Sequence, residues 1–427
     1  MAVNSGRNVV VTGRSVVSPL GDDLGSTLNA CYEGKSSFQP LLEYGENQQS
    51  IYAGRCADLD LSILPDKKVQ KSIVRRDLIG LIAALRAADE ALISKGSVNS
   101  ERFGIYIGAS STQIRDLEPY YSLVRKSFQD SSFDSEAFGR DLLGNVNPLV
   151  MLHTLMNNTL CYASIALDIR GVNGNFMDFQ SAGANAMIEG FYAVQEGRAD
   201  VVLTGGVSGS PESYQMKQGI DSGYLAFEGS DVNSDGIIRP YSDNRCGTIL
   251  SEGASFIVLE EEEHARRRGA VPMARLVGVA KGSDADFAFL NHKKSKGLVN
   301  CLKNLKKQDR FEEEKLGLIM GHGNGSIHGD MVEFGAYREV FEGWKDLLLA
   351  SPKANFGEMS EASSVASAVL VSEILNGADL FPVHNFNDHM QGEITVNTSR
   401  QTYRKEQVVV TSRSFSGLCC ALILERY

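Results

Sequence analysis

Gln180 ends an extended apolar run that starts at Gly174, and it precedes a small-residue segment that opens a helical pattern at Ala186–Glu196. Such a junction predicts a strand–turn–helix elbow, where free backbone N–H groups at the helix start favour developing negative charge and would activate a nucleophile. The residue at the turn is an amide, which forms hydrogen bonds but cannot attack a carbonyl carbon. Gln180 is therefore either an ordinary strand-end residue or the apex of a catalytic scaffold without its nucleophile.

His322 lies in a glycine-rich segment, Gly321–Ser326, directly after the strand-like run Leu316–Met320. The glycines let the backbone approach a ligand, and the carboxyl end of a strand is where sites usually form in α/β proteins. An imidazole at that place could act as an acid, a base or a hydrogen-bond donor. It could equally be a turn residue beside glycine.

Three further side chains lie in loops of the second half. Lys353 and Glu358 precede a small-residue helix, Ala362–Leu375, and could either form an ion pair or lie on the surface. Phe415 follows the strand-like run Gln407–Thr411, where it could form an aromatic gate or pack in the core. The local sequence leaves both interpretations open for all three residues.

Hydrophobic runs predict the elements that would position these residues. In the first half we expect helices at Leu24–Gly34 and Arg75–Lys95 and strands at Asn8–Gly13, Phe103–Gly108, Val201–Gly206 and Ala254–Glu260. The second half repeats the strands, since Leu276–Val279, Leu316–Gly321 and Cys419–Glu425 echo Val9–Thr12, Phe103–Gly108 and Ala254–Glu260. The sequence therefore predicts a layered α/β chain of two pseudo-duplicated halves with two buried sheets, and a solvated helix from the charged run Glu260–Arg268.

Length and composition exclude several classes of function. The chain has 427 residues, too many for one ordinary core, and its net charge of −11 argues against nucleic acid or an anionic membrane as partner. It shows no apolar leader and no long apolar run, so we expect a cytoplasmic protein. Seven scattered cysteines predict neither disulfides nor zinc. Asp231–Gly236 resembles the start of a calcium loop, but Ser242 replaces the bidentate Glu, so no metal is expected.

A series of segments in the family's order resembles motifs of β-ketoacyl synthases, enzymes of the thiolase fold, over about Asn8–Tyr427. The opening Asn8–Gly21 is similar to the first strand and turn of that family. The other matches are Asp178–Ser181 with Asp-x-x-Cys-Ser, Arg239–Ser242 with Arg-Pro-Phe-Asp, Ser251–Ala254 with Gly-Glu-Gly-Ala, His322 with His-Gly-Thr-Gly-Thr, Lys353–Glu358 with Lys-x-x-x-Gly-His, and Phe415 with the Gly-Phe-Gly-Gly loop. The resemblance implies a five-layered αβαβα fold made of two halves, residues 1–262 and 263–427.

The same resemblance implies a degenerate active site. Gln180 takes the place of the nucleophilic Cys and Glu358 that of the second catalytic His, whereas His322 and Lys353 are retained. Without the Cys no acyl-enzyme forms, and an anion at position 358 opposes the negative charge of the enolate. Condensation by this chain alone is therefore not expected.

A Gln at the Cys position resembles two subfamilies, the chain-length factors of type II polyketide synthases and decarboxylating loading synthases. The loading enzymes keep both His residues, so Glu358 favours the chain-length factor. The resemblance then implies a non-catalytic subunit, without a cofactor, that pairs with a Cys-containing ketosynthase α subunit and shapes its tunnel for a polyketide chain on acyl carrier protein. Two alternatives stay open: a malonyl-ACP decarboxylase in which Gln180 polarises the thioester and His322 donates a hydrogen bond, and a degenerate structural or regulatory homodimer.

Further residues receive roles from the resemblance alone. Phe415 matches the gate of the acyl pocket, but Ser414 and Ser416 replace its flanking glycines, which puts gate opening in doubt. The strand across the dimer axis would present Phe176, Met177 and Phe179, and the partner's tunnel would be shaped by Gln113, Leu117, Tyr120 and Tyr121. Aromatic and polyene products both remain open, with a preference for aromatic ones.

Overall fold

The protein is described by a computed structural model. The described residues are 6–44, 49–64, 73–110, 118–129, 131–145, 150–209, 211, 216, 219–226, 236–285, 294–344, 346–387 and 394–427. Gln113, Leu117 and most of the calcium-like loop therefore lie outside the described residues.

The first half contains nine strands and seven helices among these residues. The strands are β1 Val9–Val17, β2 Phe38–Tyr44, β3 Gln49–Gly54, β4 Phe103–Gly108, β5 Phe128–Gln129, β6 Ser132–Phe133, β7 Asn173–Phe176, β8 Val201–Ser208 and β9 Gly253–Glu261. The helices are α1 Leu24–Glu33, α2 Arg75–Glu90, α3 Glu118–Lys126, α4 Ser135–Asn145, α5 Val150–His153, α6 Asn158–Leu167 and α7 Ala182–Gln195.

A short helix, α8 Glu262–Arg267, leads into the second half. The later strands in the described residues are β10 Ala274–Ser283, β11 Leu316–Met320, β12 Leu347–Ala350, β13 Asp379–Leu380, β14 Ile394–Val396, β15 Gln401–Thr402, β16 Gln407–Arg413 and β17 Leu418–Arg426. The helices are α9 Lys296–Leu305, α10 Ile327–Val340, α11 Lys353–Phe356 and α12 Ser360–Leu375.

Eleven of these strands form one sheet in the order β14-β12-β11-β16-β17-β10-β1-β9-β8-β4-β7. The order confirms the duplication, because β10, β11 and β17 hold the places in the second half that β1, β4 and β9 hold in the first. In both halves the two pairings nearest the middle of the sheet are antiparallel, and the pairings farther out are parallel. The expectation of two separate sheets was wrong, since β1 pairs with β10 through Val9–Val11 and joins the halves edge to edge.

The helices complete five layers. At the centre, α7 and α12 pack against each other and contact strands of both halves. On the outside, α2 with α6 covers the first half, and α9 with α10 beside it covers the second. The structure thus has the αβαβα arrangement of the thiolase fold. Among the described residues no helix is long and apolar enough to cross a membrane.

The central layer is closely packed around glycine. A Cβ atom on Gly183 of α7 would lie 2.2 Å from the carbonyl oxygen of Glu361, and one on Gly206 of β8 would lie 2.0 Å from it. Both distances are shorter than atoms can approach, so only glycine allows the start of α12 to lie this near. This contact fixes the loop before α12, which carries Glu358, relative to the elbow before α7.

Two local predictions need correction. After Phe176 the chain makes a 3₁₀ turn at Phe179–Ser181 and α7 begins at once at Ala182, not at Ala186, because small residues fit the crowded central layer. The charged run Glu260–Arg268 does contain a helix, α8, but it is only partly solvated. Glu260 is fully buried and accepts hydrogen bonds from Arg268 at 2.6 Å, and these contacts offset the penalty of burying its charge.

Candidate functional site

Gln180 lies in the elbow between β7 and α7, as the sequence predicts. Its side chain is buried, and the residue before it, Phe179, has a φ of +49°, a conformation that a bulky side chain rarely adopts. The N–H of Phe179 donates to Ser110 Oγ at 3.0 Å, and the carbonyl of Gln180 accepts from Ser412 Oγ at 2.7 Å. The strained turn is therefore held from both halves of the molecule.

His322, Lys353 and Glu358 meet beside this elbow, and all three are buried. Lys353 Nζ lies 2.8 Å from Glu358 Oε2 and 3.0 Å from His322 Nδ1. Of the two alternatives left open for Lys353 and Glu358, the structure shows the ion pair, and it is buried rather than on the surface. The second carboxylate oxygen of Glu358 accepts from Ser363 Oγ at 2.7 Å, so the anion is well solvated by protein groups.

Tyr224 and Asn324 connect this group to the apex. Asn324 Nδ2 donates to Tyr224 Oη at 2.8 Å and to Glu358 Oε2 at 3.0 Å. Tyr224 Oη also accepts from Gln180 Nε2 at 3.3 Å and lies 3.5 Å from Glu358 Oε2. The phenol oxygen thus lies between the amide at the apex and the carboxylate.

His322 is neutral in this setting. Burial, together with the nearby charges of Lys353 and Arg413, lowers the pKa of the imidazole well below its ordinary value of 6.5. Since the Lys353 ammonium can only donate, it binds the lone pair of Nδ1, and the imidazole proton belongs on Nε2. That nitrogen lies 3.2 Å from Asn324 Nδ2 and 3.4 Å from Glu358 Oε2, so both ring nitrogens are close to polar groups of the protein.

Two carboxylates of α10 hold the loop that carries His322. Glu333 accepts the backbone N–H groups of His322 at 2.6 Å and Gly323 at 2.9 Å. Asp330 accepts those of Asn324 and Gly325, each at 3.1 Å. Burial and the neighbouring Glu333 raise the pKa of Asp330 to about 7.

Phe415 lies over the apex at the predicted position of the gate. Its backbone N–H donates to Gln180 Oε1 at 3.3 Å, and its ring meets Tyr224 edge to face at a centroid distance of 4.5 Å. Ser414 Oγ donates to the carbonyl of Asp178 at 2.6 Å, which ties the gate loop to the elbow. The serine in place of a family glycine therefore adds a contact that a glycine could not make.

A cavity of about 180 Å³ opens beside these groups. Its lining residues are Gln180, Ser222, Gly223, Tyr224, His322, Asn324, Ser326, Ile327, His328, Gly329, Arg413, Ser414 and Phe415. The lining offers hydrogen-bond donors and acceptors, but no thiol or activated hydroxyl at the elbow. The site can bind a polar group, and it lacks the nucleophile that covalent acyl transfer requires.

The other described residues that the sequence singles out do not line this cavity. Met177 and Phe179 are exposed and Phe176 is half-buried beside them, on β7 and the turn after it. Tyr120 and Tyr121 lie on α3, where Tyr121 is half exposed. Neither tyrosine lines the cavity at Gln180, and their role toward a partner's tunnel stays a prediction.

Sequence reasoning missed several members of the site. Tyr224 lies 44 positions after Gln180, and nothing near it in the sequence marks it. Asn324 stands inside the motif that drew attention to His322, so its amide could have been considered. Asp330 and Glu333 are three positions apart in a helical pattern just after the glycine loop, and that spacing places two acids on one face.

Comparison with known proteins identifies the family of the chain. Residues 6–265 match the beta-ketoacyl synthase N-terminal domain and residues 273–387 match the beta-ketoacyl synthase C-terminal domain. The chain belongs to the beta-ketoacyl synthase family. Among curated relatives, 3-oxoacyl-[acyl-carrier-protein] synthase 2 of Vibrio harveyi is 24% identical over 432 residues, which cover 99% of both chains. The enzyme of the same name from Staphylococcus aureus is 23% identical over 89% of this chain and 88% of its own.

Solved structures support the fold. A type II polyketide synthase acyl-carrier protein in complex with its ketosynthase bound to the hexaketide contains a chain that matches with a TM-score of 0.83 at 19% identity, over 99% of this chain and 100% of that one. The ishigamide ketosynthase/chain length factor matches with a TM-score of 0.83 at 20% identity over the same shares. A beta-ketoacyl synthase from Burkholderia phymatum reaches 0.84 at 19% identity, again over 99% and 100%.

Proposed function

We propose that this chain is a non-catalytic chain-length factor that pairs with a Cys-containing ketosynthase in a type II polyketide synthase. The observation that carries the proposal is the content of the site. An amide occupies the apex, and a buried Lys353–Glu358 ion pair at 2.8 Å stands where condensation needs a neutral donor. The scaffold of a ketosynthase is thus kept while its chemistry is lost, as expected of a subunit retained for its shape.

The surface supports a partner of similar shape. Ten of the sixteen exposed large apolar side chains in the described residues fall between Tyr121 and Phe179. Within that stretch, β7 lies at one end of the sheet and pairs only with β4 among the described strands. An edge strand that is followed directly by exposed apolar side chains, here Met177 and Phe179, is typical of a protein–protein interface. We propose that Phe176, Met177 and Phe179 belong to it.

The acyl carrier protein and the polyketide chain enter the proposal through the relatives. The curated relatives are named as 3-oxoacyl-[acyl-carrier-protein] synthases, and a fold neighbour was solved with its acyl-carrier protein. We propose that the heterodimer receives its substrate in this way, and that Gln113, Leu117, Tyr120 and Tyr121 help to close the partner's tunnel.

Malonyl-ACP decarboxylation is the alternative function. It would need free amide atoms on Gln180 and a donor on His322 that faces the substrate. Both amide atoms of Gln180 are bonded within the protein, to Tyr224 and to the N–H of Phe415. Both ring nitrogens of His322 are also close to protein groups, Nδ1 to Lys353 and Nε2 to Asn324 and Glu358. The geometry therefore favours the non-catalytic role.

Co-expression with a Cys-bearing ketosynthase from the same genome tests the proposal. We expect the two chains to purify together in a 1:1 ratio and to extend malonyl-ACP into polyketide, and the purified chain alone to release no CO₂ from malonyl-ACP. CO₂ release by the isolated chain would support the decarboxylase. A stable homodimer that binds none of the co-expressed ketosynthases would support a structural role.

A further inference from the structure

The phenol oxygen of Tyr224 is close to both the apical amide and the buried carboxylate. Its phenol oxygen lies 3.3 Å from the Gln180 amide and 3.5 Å from the Glu358 carboxylate, and Asn324 donates to it at 2.8 Å. The oxygen is therefore within about one hydrogen-bond length of both the apex and the position opposite it.

An acyl thioester bound at the apex would have to place its carbonyl group where this phenol oxygen lies. A reacting carbonyl carbon needs to lie about 3 Å from the apical group, within reach of the donors that would stabilise its oxygen. One backbone donor at the apex, the N–H of Phe415, already binds Gln180 Oε1. Because the phenol oxygen lies within hydrogen-bond distance of both Gln180 and Glu358, a carbonyl group placed between these two positions would have to displace it.

We propose that Tyr224 is a built-in plug that closes the apical pocket of this subunit to acyl thioesters. The consequence of the plug is that a carrier-bound chain reacts only in the partner's pocket. This consequence rests on the proposed function. The occlusion itself is a property of this chain and holds whether or not the partner is found.

The surrounding structure holds the plug in place. The N–H of Tyr224 donates to the carbonyl of Gly219 at 2.9 Å, and its carbonyl accepts from Thr248 at 3.0 Å. The ring packs in a small apolar cluster with Ile51, Met216 and Leu225, and the edge-to-face contact with Phe415 closes its other side. Ser414 in turn anchors the loop of Phe415 to Asp178, so the plug and the gate restrain each other.

The test places a reporter thiol at the apex. In the full-length chain carrying Gln180→Cys, the rate at which iodoacetamide alkylates position 180 is measured by peptide mass spectrometry; a carbon–sulfur bond forms and iodide leaves. The variants compared are Gln180→Cys alone and with Tyr224→Ala or Tyr224→Phe. Exposed Cys161 serves as an internal reference for reagent activity. Rates are taken from pH 7 to 9.5, so that a changed thiol pKa is separated from changed access.

We expect Tyr224→Ala to raise the alkylation rate of position 180 at least tenfold, and Tyr224→Phe, which keeps the ring, to stay within about threefold of the parent. The plug would be disproved if Tyr224→Ala left the alkylation rate of position 180 unchanged. It would also be disproved if Tyr224→Phe raised that rate as much as Tyr224→Ala does. Thermal unfolding checks that each variant is folded, and Tyr224→Leu replaces the alanine variant where its unfolding is not cooperative. The assay needs no partner, so its outcome is independent of whether the heterodimer exists.

Discussion

At the scale of single residues, the site shows how a buried carboxylate is stabilised by the groups around it. Glu358 is fully buried, and it is stable there because Lys353, Asn324 and Ser363 all donate to it. Removing one member of a buried ion pair typically costs about 3–5 kcal/mol, because the other charge stays buried without compensation. Lys353 and Glu358 are thus bound to each other structurally, and replacing one alone does not restore an active site.

His322 gives a pH-dependent prediction. Its pKa is lowered in the folded chain by burial, Lys353 and Arg413, whereas in the unfolded chain it returns to about 6.5. Below that pH the unfolded state takes up a proton that the folded state does not bind. The contribution of His322 to the free energy of unfolding is therefore present above pH 6.5 and is lost as the pH falls. His322→Gln should therefore lose about 1 kcal/mol less stability than the parent between pH 7 and 5.5.

Urea unfolding of the parent and of His322→Gln at both pH values measures this difference. The comparison uses the change between the two pH values, so a general loss of stability in the variant does not affect it. The range stays above the ordinary pKa of most carboxylates. Asp330, whose pKa is raised to about 7, titrates within the range in both proteins, so the comparison between them removes its contribution. Identical pH dependence in the two proteins would mean that His322 is not held neutral.

Residue-scale prediction from the sequence succeeded where a motif carried the information. Gln180, His322, Lys353 and Glu358 each stand in a short segment with glycine or small neighbours, and the structure brings all four together. Tyr224 could not be found in this way, because its role comes from a loop folding over the site and not from its neighbours in the sequence. Tertiary contacts of this kind leave no periodic signal.

At the scale of elements, the fit of α12 against α7 and β8 decides where the site residues lie. Gly183 is the most demanding position within α7, because an added methyl group would meet the backbone of Glu361 at 2.2 Å and Val365 Cγ2 at 2.7 Å. Gly183→Ala should destabilise the fold by about 1–3 kcal/mol, the usual effect of overpacking a dense core. Thermal unfolding measures the loss.

Gly335 in α10 is the matched control for that change. It is also a helical glycine, but it is exposed and an added methyl group meets nothing within 4 Å. Gly335→Ala should leave stability unchanged or raise it by up to about 1 kcal/mol, since alanine is the better helix former. Equal effects of the two substitutions would show that the central layer is less tightly packed than the contacts indicate.

Elements were predictable from sequence to the extent that burial on both faces makes a strand continuously apolar. Phe103–Gly108 was predicted with its observed bounds, and β1, β8 and β9 differ from their predicted runs only at the ends. The elbow was harder. Residues 181–185 are all small, which is compatible with a loop, and α7 begins among them, at Ala182, where it packs against α12.

At the scale of the whole molecule, the duplicated halves differ at their outer edges. The second half extends beyond its fifth strand by β14, whereas the first half ends at the four-residue strand β7. Ten of the sixteen exposed large apolar side chains of the described residues lie between Tyr121 and Phe179, the stretch of sequence that contains β7. A sequence can predict the duplication from repeated strand patterns, but which edge stays open depends on the segments that pack beside the outermost strand of each half.

The last prediction concerns this open edge. Met177 is 58% exposed next to β7, and in the proposed heterodimer it would be buried against the partner. Met177→Glu places a charge there, so we expect the affinity for the co-expressed ketosynthase to fall at least tenfold, which corresponds to about 1.4 kcal/mol.

The matched control is Val271→Glu, because Val271 is 72% exposed in the connection to β10, at the middle of the sheet order and away from β7. Co-purification and light scattering report association, and the thermal unfolding of both isolated variants should match the parent. Equal association of the two variants with the partner would place the interface elsewhere on the molecule, while a selective loss in Met177→Glu would place it at β7.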